Sequence, residues 1–129
     1  MQTTQYMARF SPLFLLLFLL LSACKKEETS PIPKLPIILN QPIEIELNPN
    51  LRTPLAAAAT IRTETPVQVK VMINGADPVE HQFLELEKEQ TIPILGLYPD
   101  TTNQVVFQLT NSDQLALFDT VYIQTDPIP

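Results

Sequence analysis

The chain has 129 residues, 8 of them basic and 14 acidic, for a net charge of −6. An acidic chain without a basic stripe is ill suited to nucleic acid and to electrostatic docking on anionic lipid. One cysteine and one histidine allow no internal disulfide and no zinc signature.

The first element is a targeting segment. Arg9 supplies a positive charge, Leu13 to Leu21 reads LFLLLFLLL, and Leu21-Ser22-Ala23-Cys24 follows. A charged start, a short apolar run and small residues before a cleavage point make a bacterial secretory signal. The run from Phe10 to Ala23 contains Pro12 and falls short of the roughly 20 apolar residues of a spanning helix. Leu-Ser-Ala-Cys resembles the lipobox of bacterial lipoproteins. That resemblance implies cleavage after residue 23 and acylation of Cys24, palmitate included. Each buried methylene contributes about 0.8 kcal/mol, so several acyl chains would hold the protein on the membrane permanently. The residues after Cys24 are Lys25-Lys26-Glu27-Glu28. They lack the aspartate that would resemble an inner-membrane retention signal. The expected address is therefore the outer membrane of the bacterial envelope, on its periplasmic or its surface-exposed face. Lys-Glu-Glu either resembles the surface-export signal of some Gram-negative lineages or is a solvated charge cluster.

Removing residues 1–23 from the 129 leaves 106, the size of one small domain. Residues 24–37 read as the lipidated cysteine and a tether. Their charges, Ser/Thr and Pro31, Pro33 and Pro36 favour an extended, polyproline-like spacer. Residues 38–129 hold the folded domain, with both glycines, Gly75 and Gly96, and a composition rich in Val, Ile, Thr and Leu. This is a β composition with proline at strand ends and edges.

Seven strands are predicted in chain order. Ile43–Leu47 alternates, with Ile43, Ile45 and Leu47 on one face. Ala56–Arg62 follows, its alanines lying under a neighbour. Val67–Ile73 alternates best and ends at the turn signal Asn74-Gly75, which Pro78 lengthens. Glu80–Leu86, Thr91–Leu95, Asn103–Leu109 and Leu115–Gln124 complete the set. Seven short strands with one apolar face each predict an all-β, immunoglobulin-like sandwich of two packed sheets. Without the Cys-Trp-Cys core of antibody domains, apolar packing must hold it: Val69, Val71, Phe83, Ile94, Val105, Phe107, Leu117 and Val121.

Gly96-Leu97-Tyr98-Pro99-Asp100-Thr101-Thr102-Asn103 reads as a corner between the two sheets. Gly96 admits a backbone conformation that β-branched residues resist. Leu97 plugs the end of the core. Pro99 cannot donate to a ladder and ends the strand. Asp100 and Asn103 can close turns through side-chain oxygens. Fibronectin type III domains have a similar Gly-Leu-x-Pro-x-Thr-x-Tyr turn, but Asn103 stands where that family has its corner tyrosine. A fibronectin- or immunoglobulin-like surface-binding or adhesion lipoprotein is the alternative that this likeness offers.

Gly-Leu-Tyr-Pro-Asp-x-x-Asn-x-Val, from Gly96 to Val105, more closely resembles the N-terminal immunoglobulin-like domain of bacterial arylsulfate sulfotransferases. Leu47-Asn48-Pro49, the Asn50–Ala57 stretch and the Val67–Ile73 strand are similar to that domain too. The likeness covers about Ile43 to Asp126. In those enzymes the sandwich precedes a catalytic β-propeller, whose histidine moves sulfate between phenols without a soluble sulfate cofactor. The resemblance therefore implies a non-catalytic structural or interaction module, from a truncated or split sulfotransferase or acting alone. Its expected partners are the membrane, through Cys24, and a propeller domain or a second copy. No catalytic residue carries over, because no propeller strands follow Asp126-Pro127-Ile128-Pro129.

The remaining chemistry-bearing residues support no catalytic, cofactor or metal site. His81 stands alone at a strand start. Glu85, Glu87 and Glu89 could in principle do acid–base work or hold calcium, but read as a solvated strand face that blocks edge pairing. Tyr98 either packs on a partner domain, its hydroxyl on a polar neighbour, or lies across its own turn.

Overall fold

Alternation with a period of two fixes which residues of each strand face inward, and the chain follows it. In the computed structural model, which describes residues 32–129, five antiparallel strands form one sheet. They are β1 (Glu44–Leu47), β2 (Ala56–Asn74), β3 (Val79–Leu95), β4 (Thr102–Asn111) and β5 (Ala116–Gln124). Cys24, the secretory signal and most of the expected tether lie outside the described residues.

Strand β2 organises the sheet. It pairs β3 along its length on one edge. On its other edge lie β1, beside Ala57–Thr60, and β4, beside Val67–Asn74. β5 continues outward from β4. The sheet folds over at the middle of the β2–β3 hairpin. One layer holds β1 with the first half of β2 and the second half of β3. The other holds the first half of β3, the second half of β2, β4 and β5. The fold is thus the expected immunoglobulin-like sandwich.

The seven predicted strands appear as five because two pairs are continuous. Ala56–Arg62 and Val67–Ile73 are the two halves of β2, and Glu80–Leu86 and Thr91–Leu95 those of β3. The breaks in pattern that separate them in sequence are bulges. The β2–β3 register shifts between Arg62 and Val67 and again between Val67 and Val69. A bulge adds residues to one strand and bends it. On β2 the inward residues stay odd-numbered through the bend, from Ala57 to Ile73. On β3 they switch from odd (Val79, His81, Phe83) to even (Ile92, Ile94). A one-residue slip exchanges the faces of a strand, so a pattern search reports two strands where there is one.

The bend is sharp enough for β3 to meet itself. A methyl placed on Gly96 would sit 3.3 Å from a side-chain methyl of Val79, the first residue of β3. His81 Nε2 likewise lies 3.4 Å from the Leu95 carbonyl of the same strand.

Between the layers lies the core: Ala57, Ala59, Ile61, Val67, Val69, Val71, Ile73, Ile92, Ile94, Leu97, Val105, Phe107 and Leu109, with Ile43 and Ile123 at its margins. Of the expected core residues, Val69, Val71, Ile94, Val105 and Phe107 are fully enclosed. Phe83, Leu117 and Val121 are only partly buried, because β3 and β5 are the edges of the second layer. In the four-alanine entry of β2, Ala57 and Ala59 face inward, and β1 and β3 pair the stretch on its two edges.

Residues 35–40 dock on the bend. Leu39 bridges Thr63, and the Glu64 and Asn40 amides donate to Ile38 and Arg62 carbonyls at 3.0 and 2.9 Å. The Asn111 side chain donates to the Leu35 carbonyl at 3.0 Å. Among the described residues, hydrogen bonding to the sheet thus reaches back to Leu35, inside the proline-rich stretch.

Phe107→Ala should cost about 3–5 kcal/mol of unfolding free energy, because it opens a cavity in the enclosed core. Phe118→Ala, on the solvent side of β5, should stay within about 0.5 kcal/mol of the parent. Urea denaturation of the two variants checks both.

Candidate functional site: the Gly96–Asn103 corner

The corner must turn the chain from the end of β3 in one layer to the start of β4 in the other. Gly96 takes φ of +94° and Asp100 takes +49°, the first a value that side chains with a Cβ rarely adopt. The Leu97 side chain is buried at the end of the core, as expected, and its amide donates to the Leu55 carbonyl at 3.2 Å.

Asn103 is the hub of this turn. It is 2% exposed. Its Oδ1 accepts from the Tyr98 amide at 2.7 Å, and its Nδ2 donates to the Tyr98 carbonyl at 3.0 Å. The Ile123 carbonyl and the Thr125 hydroxyl both lie 3.3 Å from that nitrogen. The Thr125 hydroxyl donates to the Tyr98 carbonyl at 2.5 Å. One amide therefore satisfies both backbone groups of Tyr98 and reaches the end of β5. Buried polar groups without partners are costly, and an asparagine can answer a donor and an acceptor together.

Tyr98 then reaches outward, to its own domain. Its hydroxyl donates to the Asp77 carbonyl at 2.5 Å and accepts from the Asp77 amide at 2.9 Å. Its ring covers Gly75, where any Cβ would fall inside the ring edge. Of the two readings of Tyr98, the structure supplies an intramolecular partner. The side chain crosses to the β2–β3 turn and ties it to the β3–β4 corner. The Asn74-Gly75 signal therefore serves two needs, a turn and a surface flat enough for the tyrosine.

The chain matches the family model described as the arylsulfotransferase Ig-like domain, over residues 44–126. It belongs to that family. No curated protein matches it. The matched span runs from the first residue of β1 to just beyond β5, so it covers the whole sheet. The Gly-Leu-Tyr-Pro-Asp-x-x-Asn stretch of this Ig-like domain is its layer-crossing corner.

The other singled-out residues do not converge on the corner as a reactive group. His81 lies on β3, partly exposed. Glu85, Glu87 and Glu89 are exposed at the bend of β3. Glu89 accepts from Arg62 at 2.8 Å, and Glu44 of β1 reaches the same guanidinium at 3.1 Å. The Glu89 hydrogen bond, then that of Glu44, raises the Arg62 pKa above its usual value. Among the described residues, no group of three His, Cys, Asp or Glu side chains could hold a metal ion. No described helix is long and apolar enough to cross a membrane.

Sequence reasoning missed a second asparagine. Asn111, 4% exposed, closes the β4–β5 turn by accepting from the Asp113 and Leu115 amides at 3.0 Å each. β4 thus has a buried asparagine near each end. The available signal was an Asn at either margin of an otherwise alternating strand.

Asn103→Ala should cost about 3 kcal/mol, since it leaves buried backbone groups without partners. Gly75→Ala should destabilise the parent by about 1–3 kcal/mol by displacing the tyrosine ring. In a Tyr98→Ala background the same change should cost much less. A double-mutant cycle by chemical denaturation measures that coupling, and additive losses would mean the ring does not rest on Gly75.

Proposed function

We propose that this chain is an envelope lipoprotein, anchored through acyl groups on Cys24. Its arylsulfotransferase Ig-like domain acts as a structural or interaction module and performs no sulfotransfer. The observation that carries the non-catalytic reading is the use made of the family's signature turn. Asn103, Thr125 and Tyr98 direct their polar atoms at the domain's own backbone. They hold a corner rigid and present no nucleophile, base or oxyanion donor to a substrate. The partner that the family suggests is a β-propeller sulfotransferase domain, and a second copy of this domain is the other candidate. The anchoring half of the proposal rests on the Leu21-Ser22-Ala23-Cys24 stretch. The chain's acidic balance leaves acyl chains, not basic patches, to supply membrane affinity.

Cells expressing the parent chain and fed radiolabelled palmitate should yield a labelled protein in the outer-membrane fraction. Cys24→Ala should abolish the label and leave an unprocessed precursor. Protease treatment of whole cells then distinguishes the periplasmic from the surface-exposed face. The purified chain should move no sulfate from a phenyl sulfate donor to a phenol. Turnover lost on His81→Ala would overturn the non-catalytic reading.

A further inference from the structure

The solvent side of the second layer differs chemically from the rest of the domain. Strand register places its outward residues in rows across β3, β2, β4 and β5. One row is Gln82, Lys70, Gln108 and Phe118, and the next is Glu80, Met72, Val106 and Thr120. The only charges in these rows are Lys70 and Glu80, which neutralise each other at 2.6 Å. In a chain of net charge −6, this face is neutral.

Its centre is a depression of about 260 Å³ lined by Gln68, Lys70, Gln82, Gln108, Thr110 and Gln114. Gln68 gives its amide N–H to the Leu84 carbonyl at 2.7 Å. Among the described residues, no side-chain hydrogen bond engages Gln82, Gln108 or Gln114. Each therefore offers a donor pair and an acceptor to solvent. Phe118, 60% exposed, stands beside the depression across from Gln108, and Tyr122, 66% exposed, stands two rows farther along the same face across from Gln104. They lie four residues apart on one face of a strand, roughly 13 Å.

We infer that this face binds a neutral polysaccharide. Flat rings left exposed on a rigid strand suit the apolar faces of sugar rings, which carry outward C–H groups. Side-chain amides that donate and accept side by side suit adjacent hydroxyls. Two aromatics set about 13 Å apart, each across from a β4 glutamine, Gln108 beside Phe118 and Gln104 beside Tyr122, suit an extended chain of several units more than a single sugar. The absence of net charge on the face disfavours an anionic glycan, phosphate or nucleic acid. A protein partner would be expected to use a more apolar centre than a row of glutamines. Phe118 and Tyr122 take no part in the Tyr98 corner, so this site neither requires nor disturbs the fold's closure.

The test uses the full acylated chain in phosphatidylcholine vesicles, mixed with fluorescent soluble β-glucan, xylan, galactomannan or starch, and with alginate as the acidic control. At least one neutral polymer should co-sediment with the vesicles, and alginate should not. Phe118→Ala and Tyr122→Ala should each weaken that binding about tenfold, the loss expected of one central aromatic anchor. Gln108→Ala should weaken it further in combination. Each variant should keep the parent's circular-dichroism spectrum, because both aromatics are exposed. The inference is overturned if no neutral polymer binds, if alginate binds as well, or if the aromatic variants bind like the parent. Retention of the parent by an apolar resin but by none of the polymers would assign the face to protein contact instead.

Discussion

The structure depends on the bend at the middle of the β2–β3 hairpin. Its strands have 19 and 17 residues and would run to roughly 55–60 Å if straight. A hairpin of that length would have no second layer to cover its apolar face. Bending it encloses Ala57, Ala59 and Ile61 of one half in the same core as Val67, Val69 and Val71 of the other, and a single hairpin becomes most of a sandwich. The difficulty is that bulges remove ladder hydrogen bonds. Side chains replace them. Gln68 donates to the Leu84 carbonyl at 2.7 Å, Gln90 to the Val67 carbonyl at 2.9 Å, and the Thr63 hydroxyl to the Thr65 carbonyl at 2.7 Å. Pro66 has no amide to satisfy, which suits it to the same place. Among the described residues, only the Thr65 hydroxyl is left buried without a partner.

Once the hairpin bends, the corner has to close a specific gap. β3 ends against its own beginning, with Gly96 beside Val79, and the chain must leave that contact to start β4 in the opposite layer. The signature residues answer separate parts of the problem. Gly96 supplies the backbone angle, Leu97 fills the end of the core, and Asn103 replaces the ladder bonds lost in crossing. Tyr98 then ties the corner to the turn at the opposite end of β3. In fibronectin-type domains a tyrosine at position 103 would serve as the corner residue. Here the amide of Asn103 takes the short reach, and a tyrosine five residues earlier takes the long one.

This division explains what was legible in the sequence. Buried faces were legible because they depend on local alternation. Val67–Ile73 and Asn103–Leu109 form as expected, and the alanine run of β2 is strand, paired by β1 on one edge and β3 on the other. Strand continuity was not legible. A bulge that shifts the inward phase of β3 looks the same in sequence as the end of one strand and the start of another. Depth of burial was also hidden. Phe83, Leu117 and Val121 have the right parity but lie on edge strands, and edge position is a property of topology. At the corner, the turn residues carried their own local chemistry. The reach of Tyr98 to Asp77, 21 residues away, did not follow from any spacing.

The distribution of charge follows from the same topology. Among the described residues β3 pairs only β2, which leaves its other edge open, and such edges invite pairing with other chains. Glu85, Glu87, Lys88 and Glu89 crowd its bend, and Pro93 interrupts its donors farther on. On the other edge of the second layer, β5 points Asp119 toward the core side, opposite Phe107, a placement that would bury a charge if another strand docked there. With both edges of the second layer defended by charge, the broad outer face of β2, β4 and β5 can remain neutral and amide-rich without inviting edge-to-edge aggregation. On the proposed acyl anchor, the acidic domain would be repelled by anionic lipid and held off the surface, leaving that face open to solvent. Edge protection and an accessible neutral face are therefore two consequences of placing the acidic residues at the margins of the sheet.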